Sequence, residues 1–284
     1  MTDMRRLALA LVLASPLAAF GAMAAVDHTQ PAAPPAGAGR VNVDYETYAA
    51  GIDVARLRVG FGLDATSYQM ALTLRTTGFV GLFMRGRQLS TVEGVWDAGQ
   101  PAPRRFVGDG YWRGEPRRTL IDYEKGVPVI RQMEPPNDAE REPVPPDLQR
   151  NAVDTLSAIA LLMHRVADTG RCEASVRTYD GRRVAEVAAR TVGHEILPPT
   201  DRSTFAGTAL RCDFDGRMVA GFLHGADTAK DSRLQRGSAW LASVIPGGPP
   251  VPVRMTFETR WFGTATMYIT GAGPGMLPLA GALD

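Results

Sequence analysis

The sequence predicts a mainly β protein of the β-rich α+β kind: a bent antiparallel sheet, an incomplete barrel, covered by one main α-helix. Three observations carry this. Period-two alternation of apolar and polar residues dominates from Val41 to about residue 270. Glycine (30) and proline (21) are frequent, the punctuation of many short strands. One segment alone, residues 151–167, carries helical periodicity with a broad apolar stripe. Apolar residues make 45% and charged residues 21% of the 284-residue chain, which suits a domain with a real core.

The elements follow in chain order. Residues 1–24 read as a secretory signal: Arg5 and Arg6 precede an apolar run from Leu7 to Gly21, and Ala22-Met23-Ala24 fits the small-x-small cleavage rule. The run is about 15 residues, short of the ~20 that a spanning helix needs. Export to the periplasm is therefore expected, with no transmembrane span after signal removal. Residues 25–40 are a Pro/Ala/Gly linker, expected to be disordered. A single β-rich domain then fills 41–270: a first strand set (41–133), a Pro-rich loop (134–150), the helix (151–167) and a second strand set (171–270). Residues 271–284 read as a flexible tail.

Within the first set, Tyr68, Met70, Leu72 and Leu74 point one way and Gln69, Ala71, Thr73 and Arg75 the other. Such alternation belongs to an antiparallel sheet with one wet face. In the segment "IDVARLRVGFG" the alternation slips phase between Val54 and Leu57, which predicts a β-bulge near Ala55–Arg56. Bulges and the strand glycines Gly60 and Gly62 bend a sheet. Further strands are expected at Val43–Ala49, Leu89–Trp96, Arg105–Tyr111, Arg118–Tyr123 and Val127–Met133. The helix places Val153, Leu156, Ile159, Ala160, Met163 and Val166 on one stripe, with Asn151 or Asp154 as its cap and Gly170 as its stop. The second set offers Glu173–Tyr179, Arg183–Arg190, Thr208–Phe214, Arg217–His224, Val251–Arg260 and Thr264–Thr270. "FDGR" at Phe214–Arg217 predicts a hairpin turn, and "WFGT" at Trp261–Thr264 another. Asp180 and Gly181 predict a tight turn, with Gly181 at positive φ and Asp180 accepting local backbone bonds.

Charge and motif searches narrow function by exclusion. Removing residues 1–24 takes away Arg5, Arg6 and Asp3, and 31 basic and 30 acidic residues become 29 of each. A neutral mature chain argues against nucleic acid as partner. Two cysteines, Cys172 and Cys212, lie in an exported chain, and an oxidising compartment favours a disulfide between them over free thiols or a metal pair. No histidine pair has zinc spacing, so no metal or other cofactor is expected. A Gly-x-Ser-x-Gly elbow and a phosphate loop are both missing from the sequence, so no catalytic residue is assigned. Arg182 and Arg183 are candidates for an anion contact, against the plainer reading of solvated strand ends. Aromatic and apolar residues along strands and helix are candidates for an apolar groove: Tyr48, Tyr68, Phe83, Leu156 and Met163.

The order of short motifs resembles a family of exported bacterial proteins grouped as domain of unknown function 3108. The resemblance runs through "YETYAAGIDVARLRVG", "TTGFVGLF", "EREPVPPDLQRNAVDTLSAIALL", Cys172 with Tyr179–Arg183, Cys212, "AGF" at 220–222, "WLA" at 240–242, "PVPVRMTFET" and "FGTATMYIT". Thr155 departs from the family's Asp-Pro-Leu-Ser pattern, which touches the helix start only. The resemblance implies an envelope protein without an established activity. Its layout is similar to lipoprotein carriers, an incomplete barrel closed by helix.

Three functional readings follow. The first is a non-enzymatic binder of an apolar or amphipathic ligand, a lipid or lipoprotein acyl chain, in a half-barrel groove. The second is a solid-cored structural or interaction module that docks an envelope protein. The third is an envelope-polymer hydrolase using scattered carboxylates.

Overall fold

The computed structural model describes residues 39–83, 85–259 and 263–275. The expected signal segment, most of the linker, Trp261 and Phe262 of the "WFGT" turn and most of the expected tail lie outside these residues.

Among the described residues, thirteen strands form one antiparallel sheet. The first seven are β1 (Arg40–Ala49), β2 (Ile52–Leu63), β3 (Ser67–Thr76), β4 (Gly86–Asp97), β5 (Gln100–Trp112), β6 (Glu115–Glu124) and β7 (Val127–Glu134). The second set is β8 (Ala174–Tyr179), β9 (Val184–Leu197), β10 (Gly207–Ala220), β11 (Gln235–Ser243), β12 (Pro250–Thr259) and β13 (Gly263–Pro274). Helices are α1 (Gly78–Phe83), the single turns α2 (Pro146–Gln149) and α4 (Thr228–Asp231), and the long α3 (Thr155–Thr169).

The strand order is β7-β6-β5-β4-β3-β2-β1-β13-β12-β11-β10-β9-β8. First and last strands therefore pair in the middle, and the two edges are β7 and β8, which are consecutive in the chain. The sheet stays open between them. The 135–173 connection spans this gap and carries α3 with it.

Main-chain bonds stitch the opening. Asn151 N donates to the Gly126 carbonyl (2.8 Å) in the β6–β7 turn. Val153 N donates to the Arg177 carbonyl (2.9 Å), and Tyr179 N donates to the Val153 carbonyl (2.7 Å), so Val153 adds a one-residue parallel bridge to edge strand β8. Such pairing satisfies backbone groups that an open edge would expose.

Local chemistry curves the sheet. The extra residue on β2 is Val54, which lies between Asp53, opposite Tyr48, and Ala55, opposite Thr47. Glycines face large rings across strands: a Cβ on Gly94 would come within 2.4 Å of the Tyr68 ring, and one on Gly237 within 2.4 Å of Phe214. Each ring lies flat where its partner has no side chain, which lets the strands bend inward.

Several sequence expectations change. The last strand runs on to Pro274, four residues into the expected tail, and the helix expected at 151–167 is Thr155–Thr169. Residues 214–217 make no hairpin: β10 runs unbroken from Gly207 to Ala220, with Asp215 and Gly216 paired to Ala188 and Val187 on β9 and to Arg236 and Gln235 on β11. A glycine held in register by long strands on both sides has no freedom to turn. The sequence reading also passed over β11, whose Gly237-Ser238-Ala239 centre carries little β-branched or aromatic signal.

The main core lines the inner face. It joins Val41, Val43, Tyr45, Val59, Phe61, Tyr68, Met70, Val92 and Ile121 with Leu156, Ala160 and Met163 of α3 and with Val251, Val253 and Ile269. A smaller cluster, Val144, Ala152, Tyr179, Val184 and Ala220, fills the gap region. Helix α3 packs on β8, β5, β12, β3, β4 and β2. It is the filling of the half-barrel. No helix among the described residues is long and apolar enough to cross a membrane.

Candidate functional site

The site is built where α3 enters the half-barrel. Asp154 caps the helix: its Oδ1 accepts from Ser157 N (2.9 Å), and its Oδ2 accepts from Ser157 Oγ (2.5 Å). Ser157 Oγ lies 2.8 Å from the Tyr68 hydroxyl. A serine hydroxyl has one proton, so with that proton on Asp154 the Tyr68 hydroxyl donates to Ser157. All three side chains are buried. Burial raises the Asp154 carboxyl to about 6, against the hydrogen bonds from Ser157 that pull it down. Burial likewise pushes the Tyr68 phenol well above its ordinary range. Trp96 continues the arrangement: its ring lies 4.6 Å from Tyr68 and stacks on His164 of α3 at 4.1 Å and 11°. Its Nε1 donates to the Asp64 carbonyl (3.0 Å). Desolvation lowers the His164 pKa.

The far end of α3 is fixed covalently. Cys172 and Cys212 form a disulfide with Cα atoms 5.8 Å apart, both fully buried. It ties the α3–β8 junction to β10. Helix α3 is thus held by a polar lock at its start and a covalent tie just past its end.

Beyond the residues that α3 buries, the inner wall stays apolar. Leu57 sits opposite Tyr45 and Leu74; Leu72 opposite Val59; Met255 opposite Met267 and Ala239; Phe257 opposite Ala265 and Gly237; Phe214 opposite Gly237. Paired residues of antiparallel strands share a face, so these five point inward with the core. They remain half-buried, packed against the core cluster.

The expected site residues separate. Tyr68, Leu156 and Met163 come together in the seam between α3 and the sheet. Tyr48 does not join them, because Tyr45 and Tyr48 are three residues apart on one strand and face opposite ways. On the outer face its hydroxyl donates to Glu46 (2.8 Å), its ring lies 6.1 Å from Tyr268, and the Arg202 guanidinium sits 4.4 Å above it. Arg254 follows on Tyr268 (5.6 Å) and Trp240 (5.0 Å), and Arg211 on Trp240 (5.4 Å). This outer row of stacked cations and rings crosses β10 to β1. Phe83 ends α1 and is 69% exposed, away from the seam.

The β8–β9 turn has a structural occupation. Gly181 takes φ +89°, and Asp180 Oδ1 accepts from the backbone N–H groups of Arg182 and Arg183 (both 2.9 Å). Arg183 pairs with Asp180. Arg182 donates to the carbonyls of Glu134 (2.9 Å) and Pro135 (2.8 Å) and lies 3.7 Å from Glu140. Its guanidinium ties the β8–β9 turn to the end of β7, across the opening, rather than facing solvent for an anion.

The sequence reading missed Leu57, Phe214, Met255 and Phe257 as a wall. Their alternation was visible, but the parity that faces inward is set by pairing with β1 and β13. Among the described residues no group of three or more His, Cys, Asp or Glu side chains is placed to hold a metal.

Fold and site together define an open antiparallel half-barrel wrapped around its own helix. A crystal structure of a "Beta-barrel-like Protein of Domain of Unknown Function DUF1849 from Brucella abortus" is similar, with a TM-score of 0.50 at 12% identity over 84% of this chain and 99% of that one. That likeness concerns the fold alone. The family described as "Protein of unknown function (DUF3108)" matches residues 42–270, and the chain belongs to it. No curated protein matches the chain.

Proposed function

We propose that this chain is an exported, non-enzymatic periplasmic binding protein that takes an apolar or amphipathic ligand, a lipid or acyl chain, against the inner wall of the half-barrel. One observation carries the reading: Leu57, Leu72, Phe214, Met255 and Phe257 face inward and stay half-buried on the wall beside the packed α3 seam. Apolar side chains left half-buried on the inner face of an open half-barrel suit a ligand with an apolar part. The signal-like residues 1–24 and the buried disulfide support export. Native mass spectrometry of protein purified from its own periplasm is the test, together with titration of a fluorescent fatty acid. Expected are a co-purifying adduct and saturable uptake that Phe257→Asp abolishes. A clean apo mass with no uptake would sink the proposal.

A second reading, a solid-cored interaction module of the envelope, is favoured by α3 itself. The helix fills the seam and is anchored at both ends. Under this reading the wild-type chain takes up no fatty acid and in-cell crosslinking recovers one recurrent protein partner.

A further inference from the structure

We infer that the Tyr45 hydroxyl is the polar anchor of the inner-wall site, and that the ligand is an amphipath bearing a hydrogen-bond acceptor, a carboxylate or ester carbonyl. This rests on the binding reading above and narrows its ligand class.

Tyr45 lies in mid-β1, opposite Leu57 on β2 and Ile269 on β13. Its side chain faces inward and is 2% exposed. Its hydroxyl has no hydrogen-bond partner among the described residues. Proteins pair nearly all buried polar atoms, because leaving one unpaired forfeits its hydration with nothing in return. A phenylalanine would have filled this place without that cost. Two other buried tyrosines are satisfied: Tyr68 is bonded to Ser157, and Tyr179 donates to the Gly181 carbonyl (3.0 Å). The Tyr123 hydroxyl shares the unpartnered state, but unlike Tyr45 it has no half-buried wall residue paired directly beside it.

The neighbourhood fits an amphipath. Leu57, beside Tyr45, belongs to the half-buried apolar wall. Thr47, two residues along the same face, puts a second hydroxyl there at 5% exposure. Burial pushes the Tyr45 phenol far above its ordinary range, so it stays protonated and acts as a donor. The complementary ligand group is therefore an acceptor. An aliphatic tail would run over Leu57 and Leu72, on β2 and β3 to one side of Tyr45, while the acceptor meets Tyr45.

Tyr45→Phe removes one oxygen and leaves the ring. The experiment measures thermal stability of the unliganded protein and titrates two probes, a polyene fatty acid and a pyrene hydrocarbon without any acceptor. The variant is expected to be at least as stable as wild type, to bind the fatty acid about tenfold more weakly, and to bind the hydrocarbon unchanged. A variant that melts lower with unchanged fatty-acid binding would overturn the inference, since the hydroxyl then serves the fold. Equal weakening for both probes would overturn it too. Wild-type protein that binds neither probe defeats the binding reading as a whole. Binding that Phe257→Asp abolishes and Tyr45→Phe leaves intact defeats the anchor alone.

Discussion

The buried Asp154 makes a pH prediction whose sign runs against ordinary acid denaturation. Its carboxyl rises from 3.8 to about 6 on folding because burial disfavours the charge. A raised native pKa means that the folded state binds the proton more tightly than the unfolded state. The associated stability is fully present below about pH 4 and is lost as pH rises through about 6. Relative to pH 7.5, protonation of Asp154 contributes about 1.4 kcal/mol at pH 5 and about 2.4 kcal/mol at pH 4. Other carboxylates oppose it: Asp122, Glu140, Glu195 and Asp213 have lowered pKa values through arginine partners and hydrogen bonds. Their contribution weakens on acidification. Asp154→Asn isolates the Asp154 part, because the amide keeps an oxygen for Ser157 N and is neutral at every pH. Urea unfolding of wild type and variant at pH 7.5 and 5.0 measures the difference. The variant's stability relative to wild type should fall by about 1.4 kcal/mol between those conditions. A difference that is the same at both pH values would refute the argument that a buried charge is held at the helix start.

Two further outcomes are expected. Replacing Cys172 and Cys212 by serine opens a loop of 40 residues and should cost about 4 kcal/mol in the chain-entropy model, read as a lower urea midpoint; an unchanged midpoint would show that the junction is held by packing alone. Arg182→Ala leaves the Glu134 and Pro135 carbonyls without their donor and should cost about 1–3 kcal/mol. Amide exchange in Val127–Glu134 should accelerate more than in β1, and equal protection in both strands would count against the stitch.

The sheet was legible because antiparallel strands with one wet face write their geometry as alternation. The helix was legible for the same reason at a different period, and Asp154, one of two expected caps, proves to be the one that bonds Ser157. Long-range facts left less trace. Nothing in the residues of β7 or β8 says that both are edges; that follows from β1 pairing with β13, more than 200 positions apart. The same pairing fixes which parity faces inward, so Tyr48 could be read as a groove residue although Tyr45 holds the inward place. Asp215-Gly216 carries a local turn signal, and the two neighbouring strands overrule it.

The topology also bears on how such a site can work. In a closed barrel, widening the interior requires breaking strand ladders. Among the described residues the sheet opens between β7 and β8, and the opening is spanned by Val153, Asn151 and Arg182 through a few backbone and side-chain bonds. The element that fills the interior, α3, enters next to that seam and is held there by Asp154, Ser157 and Tyr68. Its other end is tethered by the disulfide. Motion of α3 is thereby cheapest at its N-terminal end, where the constraints are hydrogen bonds each worth about 1 kcal/mol rather than a covalent tie. An amphipath longer than the half-buried wall would gain room first at the Tyr68–Ser157 contact. Weakening that contact with Tyr68→Phe should therefore speed fatty-acid uptake without altering the Cys172–Cys212 tether. Uptake kinetics identical to wild type would place ligand entry elsewhere on the wall.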